Sequence, residues 1–169
     1  MNNATRALLV AAIAVGLSAC AKRTVPEAPA ADPAPAPVAT APVDDGKYGP
    51  EDLDTVACLR ERTVRFDFDQ DVVRPEFQAI LACHAKYMQD RPEARITLEG
   101  HADERGSREY NLGLGERCGN AVSAALQAAG GSAGQLTVVS FGEERPVDAA
   151  SNETAWAQNR RVEIVYTAR

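Results

Sequence analysis

The chain has 169 residues, with 18 Lys and Arg against 24 Asp and Glu, for a formal charge of −6. That balance lacks the basic patch through which proteins grip a phosphate backbone, so nucleic acid is excluded as the partner class. Four cysteines sound like a disulfide framework, but their positions have to be read before they are counted as one.

The first twenty residues, MNNATRALLVAAIAVGLSAC, open on a short polar segment with Arg6 and continue as an uncharged apolar run from Ala7 to Leu17. The run is too short to span a bilayer, which takes about 20 residues, but has the length of a secretory signal core. An export signal is therefore predicted over residues 1–19. Leu17, Ser18, Ala19 and Cys20 resemble the lipobox of bacterial lipoproteins, where the cysteine is acylated and becomes the first mature residue. The alternative is an ordinary small-residue cleavage site with a chance cysteine. Each buried methylene contributes about 0.8 kcal/mol, so several acyl chains on Cys20 would hold the protein firmly in the bilayer. Ala21 is not the aspartate that retains many lipoproteins at the inner membrane, so the resemblance implies the outer one.

Residues 20–50 are rich in Pro and Ala, as in PEAPAADPAPAPVATAPVDDG, and contain little that could build a core. Such a segment stays near polyproline II at about 3.1 Å per residue, a tether reaching on the order of 90 Å at full extension. Its other reading is a ligand for an aromatic-lined groove.

Residues 51–169 are close to the commonest domain size and suffice for one core. Positions 51–60 look helical. In TVRFDF, Val64, Phe66 and Phe68 alternate with Thr63, Arg65 and Asp67, the period of a half-buried strand. Pro75 suits the first turn of a helix whose apolar face is Phe77, Ile80, Leu81, His84, Tyr87 and Met88, closed by Pro92. RITLEG is a second strand, ending at Gly100. Tyr110, Leu114, Cys118, Ala121, Val122, Ala125, Leu126 and Ala129 mark a second helix, which stops at Gly130 and Gly131. QLTVVSFG is a third strand, a polar stretch with Pro146 and Asn152 a loop, and RRVEIVYT a fourth strand. The fold class is α+β, one sheet with helices packed on a face.

With Cys20 assigned to lipid, Cys58, Cys83 and Cys118 remain, so at most one intramolecular bridge forms. Cys118 lies on an apolar stripe and Cys83 borders another, which fits burial as small hydrophobes. A Cys83–Cys118 bridge is the pairing considered.

The segment GHADERGSREYNLGLGER, residues 100–117, concentrates the chemistry. A hydrolase reading fails because the only other histidine, His84, sits on a predicted apolar face and no nucleophile elbow surrounds Ser107 or Ser123. A metal reading finds His101 and Asp103 but no third ligand at useful spacing. A dinucleotide reading fails because Cys118 stands where the third glycine belongs and Gly113 and Gly115 lie inside the helix. No cofactor is expected, and no catalysis. Binding fares better. Asp103 follows a strand end and Arg117 lies two turns into the helix, a layout that can present one carboxylate and one guanidinium to a zwitterion. The plain alternative is that Asp103 and Arg117 pair with each other.

LEGHADERGSREYNLGLGER, followed by GNAV, VSFGEERP and NRRVEI, resembles the OmpA-like peptidoglycan-binding domain of peptidoglycan-associated lipoproteins, from about Val64 to Tyr166. The resemblance implies a four-stranded mixed sheet with helices on one face. It also implies non-covalent, non-catalytic binding of peptidoglycan through meso-diaminopimelate. Carried over by motif, Asp103 takes the ligand ammonium, Arg117 its carboxylate, Asn111 a polar contact, and Phe68 and Asp69 form the opposite wall. QDVV after Asp69 departs from the pattern and leaves contacts from Asp71 open, and Cys118 replaces an arginine common in these lipoproteins. Asn159, Arg160 and Arg161 read first as groups holding the last strand. TolB and other Tol proteins are the implied partners. The alternative function is an envelope protein-interaction module with little affinity for the wall.

Overall fold

Four strands form one sheet: β1 (Thr63–Arg65), β2 (Arg95–His101), β3 (Leu136–Gly142) and β4 (Arg161–Ala168), in the order β1-β4-β2-β3. β4 runs antiparallel to both β1 and β2, whereas β2 and β3 are parallel, so the sheet is mixed. This computed structural model describes residues 46–169. The expected signal peptide, Cys20 and the tether as far as residue 45 lie outside the described residues.

Alternation puts Ile96 and Leu98 of β2 and Val162 and Ile164 of β4 on the same side of the sheet. They join one cluster with Leu81, Ala85 and Met88 of α3 (Gln78–Asp90) and with Leu114, Cys118, Val122 and Leu126 of α4 (Arg108–Ala128). Both long helices therefore cover one face, the α+β arrangement expected. Pro75 opens a 3-10 turn into α3, and the Ser107 hydroxyl caps α4 by accepting from the Tyr110 amide at 3.2 Å.

Four local features differ from the expectation. Residues 51–60 form two short helices, α1 (Asp52–Thr55) and α2 (Ala57–Arg60), broken where Val56 is extended. The loop before β4 contains α5 (Glu153–Asn159), capped by the Asn152 carboxamide, which accepts from Ala155 N at 3.1 Å. β1 ends at Arg65, and Phe68, three residues on, is 54% exposed. Tyr110 is also exposed, in the first turn of α4 rather than in the core.

The bridge joins Cys58 to Cys83, not Cys83 to Cys118. Cys118 is instead buried and unbridged in the main cluster, its thiol donating to Gln70 O at 3.5 Å. The bridge ties α2 to α3 beside a second cluster of Leu53, Leu59, Tyr87 and Ala94. Closing its 25-residue separation contributes about 3.5 kcal/mol by the loop-entropy account.

Two glycines bring α4 onto β2. A Cβ on Gly100 would lie 2.0 Å from the Gly115 carbonyl oxygen, and one on Gly115 would lie 2.4 Å from Ser140 Oγ. No side chain fits between strand and helix there, so the N-terminal half of α4 is seated against the end of β2. Gly113, on another side of the same helix, would meet only Arg117 Nη1 at 3.6 Å. Gly100→Ala should therefore cost more than about 2 kcal/mol, and Gly113→Ala should gain about 0.5–1 kcal/mol, both measured by urea unfolding.

Two histidines are held neutral by burial. His84 accepts from the Tyr166 hydroxyl at 2.7 Å and donates to Glu61 O at 3.0 Å, and burial lowers its pKa despite that carbonyl. His101 is lowered to about 4 by burial and, after it, by Arg161. On acidification the unfolded chain takes up protons from about pH 6.5, ahead of the folded one. Stability is thus full above pH 6.5 and should fall below it, by up to about 1.4 kcal/mol per pH unit for each histidine, in urea titrations between pH 7.5 and 5.

Candidate functional site

The residues after β2, the start of α4 and the segment after β1 surround an open cleft of about 210 Å³. That is room for the end of an amino-acid side chain rather than for a sugar strand. Phe68, Asp69, Asp103, Arg105, Tyr110, Asn111, Leu114 and Arg160 line it. Asp69 sits in the left-handed region with φ 55°, which aspartate tolerates better than most residues and which turns the chain at the cleft wall.

Asp103 is the buried charge at the floor, 4% exposed. Its Oδ1 accepts from the Arg105 amide and Nε, each at 3.0 Å. Its Oδ2 accepts from Arg105 Nη2 at 2.7 Å and Arg160 Nη1 at 3.0 Å. Burial would raise the carboxyl pKa, but these donors from Arg105 and Arg160 outweigh it and hold the group ionised below the usual range.

The two arginines differ in exposure. Arg160 is buried and also donates to Phe66 O at 3.1 Å and Glu153 at 2.9 Å, so it ties Asp103 to the end of β1 and to α5. Arg105 is more accessible, with its guanidinium between the Phe68 and Trp156 rings at 4.0 and 4.2 Å. Its Nη1 makes only a 3.4 Å contact with the exposed Glu153 carboxylate.

Of the five residues expected to contact a ligand, Phe68, Asp69, Asp103 and Asn111 share the cleft wall. Asn111 is buried and donates through Nδ2 to Glu143, and the Tyr110 hydroxyl donates to Asp69. Arg117 is not on that wall. Its Nε lies 3.3 Å from Asp71 and its guanidinium 5.7 Å from the Tyr110 ring, with the side chain half exposed. Asp103 and Arg117 are not an ion pair; Arg105 and Arg160 take that role. Neighbouring Cys118 is pushed up to about 12 by burial and is no nucleophile.

The residues missed are Arg105, Tyr110 and Arg160. NRRVEI carried the signal for Arg160, but reading it as strand support hid that this side chain points back to Asp103. Asn159 and Arg161 do hold the chain: Asn159 accepts from the Val147 and Asp148 amides, and Arg161 donates to the Asn159 and Arg145 carbonyls.

A family model described as the OmpA family matches residues 65–160. The chain belongs to the OmpA family, and its closer likenesses narrow the class. It is 42% identical over 157 residues to the peptidoglycan-associated lipoprotein of Pseudomonas putida, covering 92% of this chain and 91% of that one. To the protein of that name from Pasteurella multocida it is 36% identical, covering 98% and 100%. The crystal structure of the peptidoglycan-associated lipoprotein from Burkholderia pseudomallei aligns at 43% identity with a TM-score of 0.66, covering 67% and 96%. Within the family, the chain belongs to the peptidoglycan-associated lipoproteins. Those relatives are peptidoglycan-associated lipoproteins by name.

Loss of Arg160 removes a buried partner of Asp103 and leaves Phe66 O unpaired, so Arg160→Ala should destabilise by about 2 kcal/mol or more. Arg117→Ala breaks only an exposed pair and should cost under about 1 kcal/mol. Thermal unfolding of the two variants checks the contrast.

Proposed function

We propose that the protein is an outer-membrane lipoprotein whose cleft binds the free zwitterionic end of meso-diaminopimelate on a peptidoglycan stem peptide. In this proposal acylated Cys20 holds the chain in the bilayer and the Pro/Ala segment lets the domain reach the wall. Family membership supports the peptidoglycan association, and no helix among the described residues is long and apolar enough to cross a membrane. A TolB-type partner in a Tol-Pal system belongs to the same proposal and rests on the family alone.

The observation that carries the binding mode is the pair of buried Asp103 with partly exposed Arg105 inside a small cleft. All four acceptor positions of the Asp103 carboxylate are taken, so an ammonium must displace a donor. Arg160 is buried and stays; Arg105 yields. The zwitterion inserts into the pair, its ammonium on Asp103 and its carboxylate on the freed guanidinium, which remains stacked on Phe68 and Trp156. One charge pair is exchanged for two. Lysine, which has no such carboxylate, would open the pair without replacing it, and selectivity follows from that unmet charge. Arg117, first expected to take the carboxylate, joins only when its pair with Asp71 opens.

Titration of the purified protein with muropeptides tests this. Asp103→Asn should abolish binding with unchanged far-UV circular dichroism. Arg105→Ala should weaken binding roughly 10- to 100-fold, for a charge-assisted bond of about 1.5–3 kcal/mol, and erase the preference over lysine-containing peptides. Arg117→Ala should lose less than Arg105→Ala. Undiminished binding by the Asp103 and Arg105 variants would overturn the assignment. Absence of any diaminopimelate-dependent binding by the unaltered protein would favour the interaction module.

A further inference from the structure

The sheet face turned away from α3 and α4 carries a second cluster that the cleft does not use. Glu99 and His101 are two apart on β2 and so share this face, and Glu163 of β4 stands directly opposite Glu99. One imidazole nitrogen of His101 and one carboxylate oxygen from each glutamate all lie within 4.8 Å of one another.

Two observations mark the cluster as unfinished. His101 is only 3% exposed, against Phe141 at 5.5 Å between ring centres, and neither of its buried ring nitrogens has a hydrogen-bond partner among the described residues. A buried polar atom left so costs about 1–3 kcal/mol. The second is charge. Like charges directly across a sheet repel, and the counter-charge here, Arg161 Nε at 2.6 Å, serves Glu163 Oε1. The Glu99 carboxylate makes no hydrogen bond or ion pair with any described residue.

We infer that Glu99, His101 and Glu163 form a site for one divalent cation of the zinc class, bridging β2 and β4, with water completing its shell. The donor set selects the metal. One imidazole nitrogen with two carboxylates suits zinc, whereas calcium and magnesium take oxygen ligands throughout. Bonds of about 2.0–2.2 Å in a tetrahedral shell place neighbouring donors about 3.3 Å apart. The present spread contracts to that by rotation of the two half-buried glutamates, and Arg161 keeps Glu163 Oε1 while the other oxygen turns to the ion. The ion gives His101 the partner it lacks and neutralises the Glu99–Glu163 repulsion. Arg161 beside the site keeps its affinity below that of an all-acidic one.

The test uses untagged full-length protein in detergent, stripped with a chelator and titrated with zinc chloride. The expected result is one equivalent bound, retained in excess magnesium, with a raised melting temperature. Glu99→Gln and Glu163→Gln should each weaken binding by at least the roughly tenfold that loss of a mere outer-shell partner costs. Histidine nitrogen NMR should show one metal-bound ring, and muropeptide titration of Glu99→Gln should be unchanged, which separates this site from the cleft. No saturable zinc binding, or binding unaffected by both glutamate variants, would overturn the inference.

Discussion

The buried pair of Asp103 with Arg160 is the constraint from which the site takes its shape. The carboxylate is fixed at the end of β2, and the guanidinium reaches it from the start of β4 while also holding Phe66 O and Glu153. One cation thereby joins one end of the central strand pair, where β2 ends and β4 begins, to the segment after β1 and to α5. A buried ion pair is weak evidence for stability in itself, because desolvation offsets the attraction. Here it sets geometry: an ionised carboxylate stays at the floor of a cleft whose wall residues come from four separate parts of the chain.

The second constraint is steric. Gly100 and Gly115 let backbone meet backbone between β2 and α4, which sets how far the first turns of α4 stand from the end of β2. Asn111 and Tyr110 therefore face Asp69 and the residues after β2 across a narrow gap. Of the two glycines that superficially suggest a dinucleotide loop, Gly115 is packed inside this strand-helix contact and Gly113 faces only Arg117. On the side of the sheet turned away from α3 and α4, the alternation that buries Ile96, Leu98, Val162 and Ile164 presents Glu99, His101, Arg161 and Glu163 together. One sheet thus carries two charged regions with separate chemistry.

Much of this was legible along the chain. Period-two alternation located the strands and three-to-four spacing located α3 and α4, because each element buries one face against a common core. Positions 51–60 read as helical and form α1 and α2, whereas α5 was missed: it has too few residues for a periodic signal, and Asn152, its cap, reads equally well as a loop residue. The bridge was misread because pairing depends on which cysteines meet in space. Cys118 has the apolar spacing of a core residue, and it is one.

What the amino-acid sequence determined by itself was local and periodic: the strand and helix faces, the glycines at a close contact, the acidic balance, and the motif carrying Asp103, Asn111 and the residues around them. Only the tertiary structure decided which charges meet. Arg117 and Arg105 are both plausible partners for Asp103 by spacing, and side-chain direction after folding gives the aspartate Arg105 and Arg160 and sends Arg117 to Asp71. Glu163 is likewise more than sixty positions from Glu99 and His101 and meets them only because β4 pairs with β2 in that register. Periodicity reports what a residue does within its own element. Pairing between distant residues is a property of the packed chain.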